Sequence, residues 1–359
     1  WLIMNDRPSQ ELAKLLESSS DKETLLIADE NTLGALGSIT RRSKLNVISN
    51  RFDVAEQFSK LGINTRFCDF EFECIANNSV EFIFYRVSKE KPVVHHVINQ
   101  ARLKLVNGGQ LIFCGHKTDG TKSYFNNAKK FLGGSATLKK NGDSYTATIS
   151  NNLSSNEASN SLDDKNYSAL RHTLQVSGLD TLSKPGLFGW DKIDKGSKLL
   201  IEQLAETLAA FNPKPTSLLD LGCGFGYLTL ASREIKLEYR CATDNNAAAL
   251  IAARANFQQS SLEVDTIAAD CADNVDRKFD LILCNPPFHQ GFSVAGDLTN
   301  KFLATISRLL SRSGTALLVV NQFVPIERKA QALNFNVTLL VNNGSFKVVM
   351  LRKGQTKKA

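Results

Sequence analysis

The chain has 359 residues, 42% hydrophobic and 22% charged, which suits a globular protein with room for two domains and excludes a disordered chain. A net charge of +7 fits a polyanionic partner without requiring one. No apolar run approaches the ~20 residues of a membrane helix, no leader peptide is visible, and the scattered cysteines form neither a C-x-x-C pair nor a His/Cys cluster, so we expect no membrane, no metal and a cytoplasmic setting.

In chain order, Thr24–Asp29, Asn46–Asn50, Thr65–Asp69 and Val80–Tyr85 read as short apolar strands. Ala101–Phe113 brings the chain through Gly108-Gly109 into another strand, and Lys139–Thr148 reads as a hairpin about Asn141-Gly142. The Ser- and Asn-rich stretch Ser150–Lys165 reads as a linker. The plan then repeats, with strands at Ser217–Leu221, Tyr239–Thr243, Glu263–Ala268, Phe279–Cys284 and Thr315–Val320. Helical patterns fall at Tyr227–Ser232, Ala247–Phe257 and Leu298–Leu310. Val337–Val341 and Phe346–Leu351 form a closing hairpin through Asn342-Asn343-Gly344. Strands alternating with helices predict an α/β fold: two tandem Rossmann-like domains, each a mainly parallel sheet with an antiparallel hairpin at its end. The expected domains are residues 1–160 and 161–359, the second with a lead-in over 161–200.

The second series carries the chemistry. Asp220 is followed by Gly222, Gly224 and Gly226, glycines of the kind needed where backbone turns sharply beneath a ligand. The spacing is neither the dinucleotide G-x-G-x-x-G nor a Walker loop. Asp244 ends the next strand, about twenty residues on, where a carboxylate can accept both hydroxyls of a ribose. Asp270 ends the third strand, where it can accept from an adenine amino group. Each acid alone is equally an N-cap or a turn residue; three strand-end features in register point to S-adenosyl-L-methionine, a nucleoside-shaped cofactor without phosphates.

Phe279–Cys284 then runs into Asn285-Pro286-Pro287-Phe288. An amine conjugated to a ring or carbonyl is a weak nucleophile, and acceptors placed at its two hydrogens favour rehybridisation and stabilise the charge that develops on attack. The Asn285 side-chain oxygen and the Pro286 carbonyl can be those acceptors. Pro287 stiffens the turn, Phe288 offers a face for a planar base, and His289 is either a proton shuttle or structural. In the first series Asp29–Gly34 has no such glycine pattern, and Arg86–Pro92 stands where Asn-Pro-Pro-Phe would be. The N-terminal copy is therefore expected to be degenerate.

Four segments, Pro185–Phe188 with Asp194–Ser197, Asp220–Gly226, Asn285–Gly291 and Gly344–Lys347, make the stretch from about Pro185 to Arg352 resemble the ribosomal RNA guanine-N2 methyltransferases. The small-subunit branch, methyltransferase C, also has a duplicated N-terminal domain. The resemblance implies N2-methylguanosine in 16S ribosomal RNA as product, with ribosomal RNA or the small subunit as partner; a monomer is expected ahead of an oligomer. It also implies that Phe188 and Ser197 flank the cofactor pocket and that Pro287, His289, Phe346 and Lys347 lie on the substrate side. Gln290 departs from the acid that many small-subunit enzymes carry, so the large-subunit guanine-N2 enzyme stays open. Two other readings are a release-factor glutamine N5-methyltransferase, in which Tyr usually follows Pro-Pro, and a non-catalytic RNA-binding or assembly protein.

Overall fold

The computed structural model describes residues 6–19, 21–154, 161–211, 213–287 and 292–354, with backbone alone for 34–37 and 292–297. The chain divides into two compact units between Ala169 and Leu170. The division falls later than the expected 160/161 because the polar segment after residue 160 belongs to the first unit. Leu162 exchanges hydrogen bonds with the Asn99 side chain (2.8 and 2.9 Å), and the buried Tyr167 donates to Asp69 (2.6 Å).

The first unit contains α1 (Arg7–Glu17), β1 (Thr24–Ala28), β2 (Leu45–Ser49), α2 (Phe52–Lys60), β3 (Asn64–Phe67), β4 (Val80–Arg86), α3 (Lys91–Lys104), β5 (Leu105–His116), α4 (Thr121–Leu132), β6 (Gly133–Asn141) and β7 (Ser144–Asn151). The second opens with the hairpin β8 (Arg171–Val176) and β9 (Leu179–Ser183). There follow α5 (Lys195–Ala209), β10 (Ser217–Leu221), α6 (Tyr227–Ala231), β11 (Tyr239–Asp244), α7 (Ala247–Gln259), β12 (Asp265–Ala268), β13 (Phe279–Cys284), α8 (Phe292–Leu309), β14 (Leu310–Asn321), α9 (Ile326–Gln331), β15 (Phe335–Asn342) and β16 (Phe346–Lys353).

The two main sheets have the same strand order, β3-β2-β1-β4-β5-β7-β6 and β12-β11-β10-β13-β14-β16-β15. In each, the first five strands are parallel and the last two antiparallel. Central strands β1 and β10 are buried along their whole length, because helices cover both faces. Leu219 and Leu221 pack with Phe302, Leu303 and Ile306 of α8, while Leu218 packs with Leu200 and Leu204 of α5. At β10 the chain neighbours reverse direction, β11 on one side and β13 on the other, which opens a crevice at the carboxyl ends of the strands.

The shared register lets the copies be compared residue by residue. Asp220 pairs with Leu283 and Leu26 with Phe84, and two residues beyond each partner stand Asn285 and Arg86. Leu26, rather than Asp29, thus occupies the Asp220 position. Asp244 pairs with Ala268 and Ser49 with Phe67, so Ser49 replaces the acid of the second strand and Asp69 matches Asp270. In the first unit Asp69 is already engaged by Tyr167. Arg86, at the Asn285 position, is held by Asp6 (2.9 and 3.1 Å) and Asp119 (2.8 Å). Burial raises the Asp6 carboxyl, but the hydrogen bonds and charge of Arg86 outweigh it and hold Asp6 below its ordinary value. The first copy keeps the frame and closes the site with a buried ion-pair cluster. Arg86→Met, which leaves Asp6 and Asp119 uncompensated, should destabilise this unit by ~3–5 kcal/mol; hydrogen exchange of the β4 and β5 amides measures it, and exchange protection unchanged from wild type would refute the clamp.

Candidate active site

The crevice in the second unit is lined by the ends of four neighbouring strands. The turn after β10 needs its glycines, since Gly222, Gly224 and Gly226 have φ of +80°, +56° and +92°. A Cβ at Gly226 would lie 2.7 Å from the Phe257 ring, whereas one at Gly224 would project into open space. The turn thus packs tightly on one side and offers bare backbone on the other. Asp244 fixes it, accepting from the Gly224 amide and the Asn246 amide (both 2.9 Å). The buried Asn256 side chain donates to the Phe225 and Leu182 carbonyls (both 2.9 Å), tying the turn to β9.

Asp220 is fully buried within β10. Its Oδ2 accepts from the Thr229 amide (3.1 Å) and hydroxyl (2.7 Å), while its Oδ1 is buried with no hydrogen bond. Burial pushes its carboxyl up, Thr229 opposes this, and the charge of Asp244 adds to it; the result is about 7. A buried acceptor in this state fits a cationic donor at the strand end. Asp270 forms an ion pair with Lys301 of α8, which occupies one carboxylate oxygen.

Asn285 follows β13. Its Nδ2 donates to Asp194 Oδ2 (2.9 Å) and to Ser197 Oγ (2.8 Å). A carboxylate only accepts, so the amide nitrogen must face Asp194 and Oδ1 is the atom left for another donor. Asp194 is also the N-cap of α5, accepting from the Ser197 amide (2.8 Å). Pro286, which has no N–H of its own, is buried beside Asn285, and Pro287 is exposed. Ser197 is turned to Asn285, so its predicted place beside the cofactor is shared with a role in holding the amide. Phe188 is 60% exposed on the turn before α5. Phe346 packs against Gly196, where a Cβ would lie 3.2 Å from its ring. Lys347, expected on the substrate side, is buried, and its ammonium is held by both oxygens of Glu327 (2.7 Å each), an internal ion pair. Phe288 and His289 lie outside the described residues, as do Gln290 and Gly291.

Residues 178–350 match the model of the methyltransferase small domain. Across 353 residues the chain is 25% identical to ribosomal RNA small subunit methyltransferase C of Shewanella loihica, covering 98% of this chain and 100% of that one. The enzyme of the same name from Yersinia pestis is 31% identical over 183 residues, 50% of this chain and 51% of its own. The T. thermophilus 16S rRNA N2 methyltransferase RsmC, solved in complex with AdoMet and guanosine, superposes with a TM-score of 0.83 at 21% identity, covering 98% of this chain and 93% of that one. The chain is thus similar to ribosomal RNA small subunit methyltransferase C over almost its whole length, and its second unit carries the methyltransferase small domain. Its duplicated fold is that of the T. thermophilus enzyme along nearly the whole length.

The structure brings the strand-end acids and the Asn-Pro-Pro turn to one end of the sheet, and adds contacts not read from the sequence: Asp194 on Asn285, Thr229 on Asp220 and Lys301 on Asp270. A signal for the first was present: the cap Asp194-Lys195-Gly196-Ser197 has a counterpart in Asp6-Arg7-Pro8-Ser9, where Asp6 accepts from the Ser9 amide (3.0 Å). Both caps precede the first strand of a copy and both hold the residue that ends its fourth strand. Asp194→Asn preserves a competent N-cap but can donate to the Asn285 oxygen, freeing the amide to turn over. We expect turnover to drop ~10–100-fold with the fold intact. Steady-state kinetics beside far-ultraviolet circular dichroism test this, and wild-type turnover would remove Asp194 from the site.

Proposed function

We propose that this chain transfers a methyl group from S-adenosyl-L-methionine to the exocyclic N2 of a guanine in small-subunit ribosomal RNA, acting in the cytoplasm as a monomer. The observation that carries the reading is the Asn285 amide, whose nitrogen is committed to Asp194 and Ser197 and whose oxygen is thereby left as an acceptor. The names of the full-length relatives, and the AdoMet and guanosine of the T. thermophilus complex, supply the substrate class.

The cofactor, when bound, supplies an electrophilic sulfonium methyl. The residues fit such a group: open space over Gly224, an unsatisfied buried oxygen on Asp220, and acids at the ends of β11 and after β12. Asp244 would take the ribose hydroxyls, Asp270 the adenine amino group, and Asp220 the methionine ammonium. Phe188 would cover the pocket. On the other side, Asn285 Oδ1 and the Pro286 carbonyl would accept the two N–H bonds of the guanine amine. The lone pair then leaves conjugation as the nitrogen attacks, and the developing positive charge faces two oriented dipoles. Proton loss follows methyl transfer, so the site needs no strong base.

Asn285→Ala should cut turnover ~100-fold or more while leaving cofactor affinity near wild type. Asp244→Ala should do the reverse, weakening cofactor binding ahead of turnover. Equilibrium binding and single-turnover rates separate the two, and a swap of the effects would reverse the assignment. The Asp220 carboxyl, raised to about 7 in the free protein, gives a pH signature. A cation beside it favours the ionised form, so affinity should be weak below this value, rise as pH climbs through it, and level off above it. Titration calorimetry from pH 6 to 8 reads the trend, and a flat profile would detach Asp220 from the ammonium.

The reaction itself is tested by mapping methylated nucleosides in ribosomal RNA from cells with and without the gene. Loss of one N2-methylguanosine from 16S RNA, restored by the purified protein and S-adenosyl-L-methionine, is the expected result. Loss from the large subunit would move the substrate, and an unchanged pattern would overturn the RNA assignment.

A further inference from the structure

Phe323 is the most exposed large hydrophobic side chain among the described residues, at 78%. Its backbone is nonetheless tied down. The Phe323 amide donates to Asn321 Oδ1 (3.1 Å), the Val324 amide to the Asn321 carbonyl (3.0 Å), and the Gln322 amide to the Ser345 carbonyl (3.0 Å), with Pro325 following. A single exposed apolar side chain is ordinary in itself; its place in the fold is what distinguishes this ring.

The loop lies at the catalytic edge. Cys284 pairs with Leu318 on the parallel neighbour β14, so Asn285 is level with Val319, and the loop begins where β14 ends at Asn321. The first unit shows how far such a loop reaches. There His116 ends β5 opposite Ser144 as Asn321 ends β14 opposite Phe346, so Asp119 corresponds to Val324 and Thr118 to Phe323. Asp119 touches Arg86, the residue at the Asn285 position, at 2.8 Å. The same loop in the catalytic copy therefore borders the acceptor site, and there it carries an aromatic ring where the degenerate copy carries threonine.

We infer that Phe323 stacks on an RNA base flanking the target guanine. The inference rests on the RNA reading above and adds a residue to it. An aromatic face accepts any base, and a nucleotide extruded from a helix leaves neighbours whose exposed faces need cover. The high exposure assigns the ring to a flanking base, because a ring lining the recess for the target would already be walled in.

Binding of a 16S ribosomal RNA fragment is measured by fluorescence anisotropy without turnover, together with kcat and KM for methyl transfer and the affinity for S-adenosyl-L-methionine. Phe323→Ala should weaken RNA binding and raise KM by ~5–100-fold, the range of a lost base–aromatic stack. Phe323→Trp should restore both and Phe323→Leu should not, with cofactor affinity unchanged in all three. Equal RNA binding by wild type and Phe323→Ala, rescue by leucine as complete as by tryptophan, or a parallel loss of cofactor affinity would each overturn the stacking role. Because binding is read apart from catalysis, normal stacking behaviour without methyl transfer would overturn the proposed reaction and leave this inference standing.

Discussion

A carboxylate can accept hydrogen bonds but not donate them, and the catalytic edge of the second unit depends on that asymmetry. An asparagine amide is otherwise indifferent to a half-turn about its last bond, presenting oxygen or nitrogen to whatever lies opposite. Asp194 removes the choice, and Ser197 accepts the second amide hydrogen. Both residues sit in the first turn of α5, whose N-terminus favours the negative charge of its cap. One side chain thus caps a helix and orients an amide at a strand end 91 residues away.

The first unit applies the same device to a different head group, which explains why it lost the chemistry without losing the fold. Its cap Asp6 and Ser9 stand before β1 as Asp194 and Ser197 stand before β10, and Asp6 also reaches the end of the fourth strand. What it finds there is an arginine. A guanidinium has five donors and no acceptor, so nothing at that position can receive an amine's hydrogens. Arginine also brings a charge that a single carboxylate shared with a helix cap serves poorly, and Asp119 from the loop after β5 supplies the second anion. Ser49 at the position of Asp244, and Tyr167 on the acid that remains, complete the closure.

Most of the fold was legible because its signals are local. Apolar runs fixed the strands, as at Ser217–Leu221 and Phe279–Cys284, whose bounds match the structure, and Asn-Gly turns marked both hairpins. The site was legible to the extent that its residues end strands: Asp220, Asp244 and Asn285 lie in one crevice because parallel strands place their carboxyl ends together. Three features depended on partners distant in sequence and could not be read. Lys347 was expected on the substrate side, but its ammonium pairs with Glu327, twenty residues away in sequence. The stretch before Tyr167 looked like a linker because the bonds that fix it to the first unit run to Asn99 and His95, more than sixty residues away in sequence. The Asp-x-x-Ser caps were visible as letters, but only the sheet register shows that each aims at the same strand end.

The clearest physical difference between the two units lies at one position of the central strand. The first unit fills it with Leu26, an apolar side chain in an apolar layer. The second fills it with Asp220, fully buried, one oxygen unpaired and its carboxyl raised to about 7. An unsatisfied buried acceptor costs ~1–3 kcal/mol, and a leucine in the same frame shows that the fold does not require it. Local cost with no structural return is what the proposed cofactor role accounts for, since a cationic donor would satisfy the oxygen and draw the carboxyl back to its charged form. The glycine turn beside it follows the same logic, using three positions of positive φ that glycine adopts freely and leaving bare backbone at Gly224 over open space. The first unit has an apolar residue at that position and no such glycine turn, so its central strand carries no unpaired acceptor there.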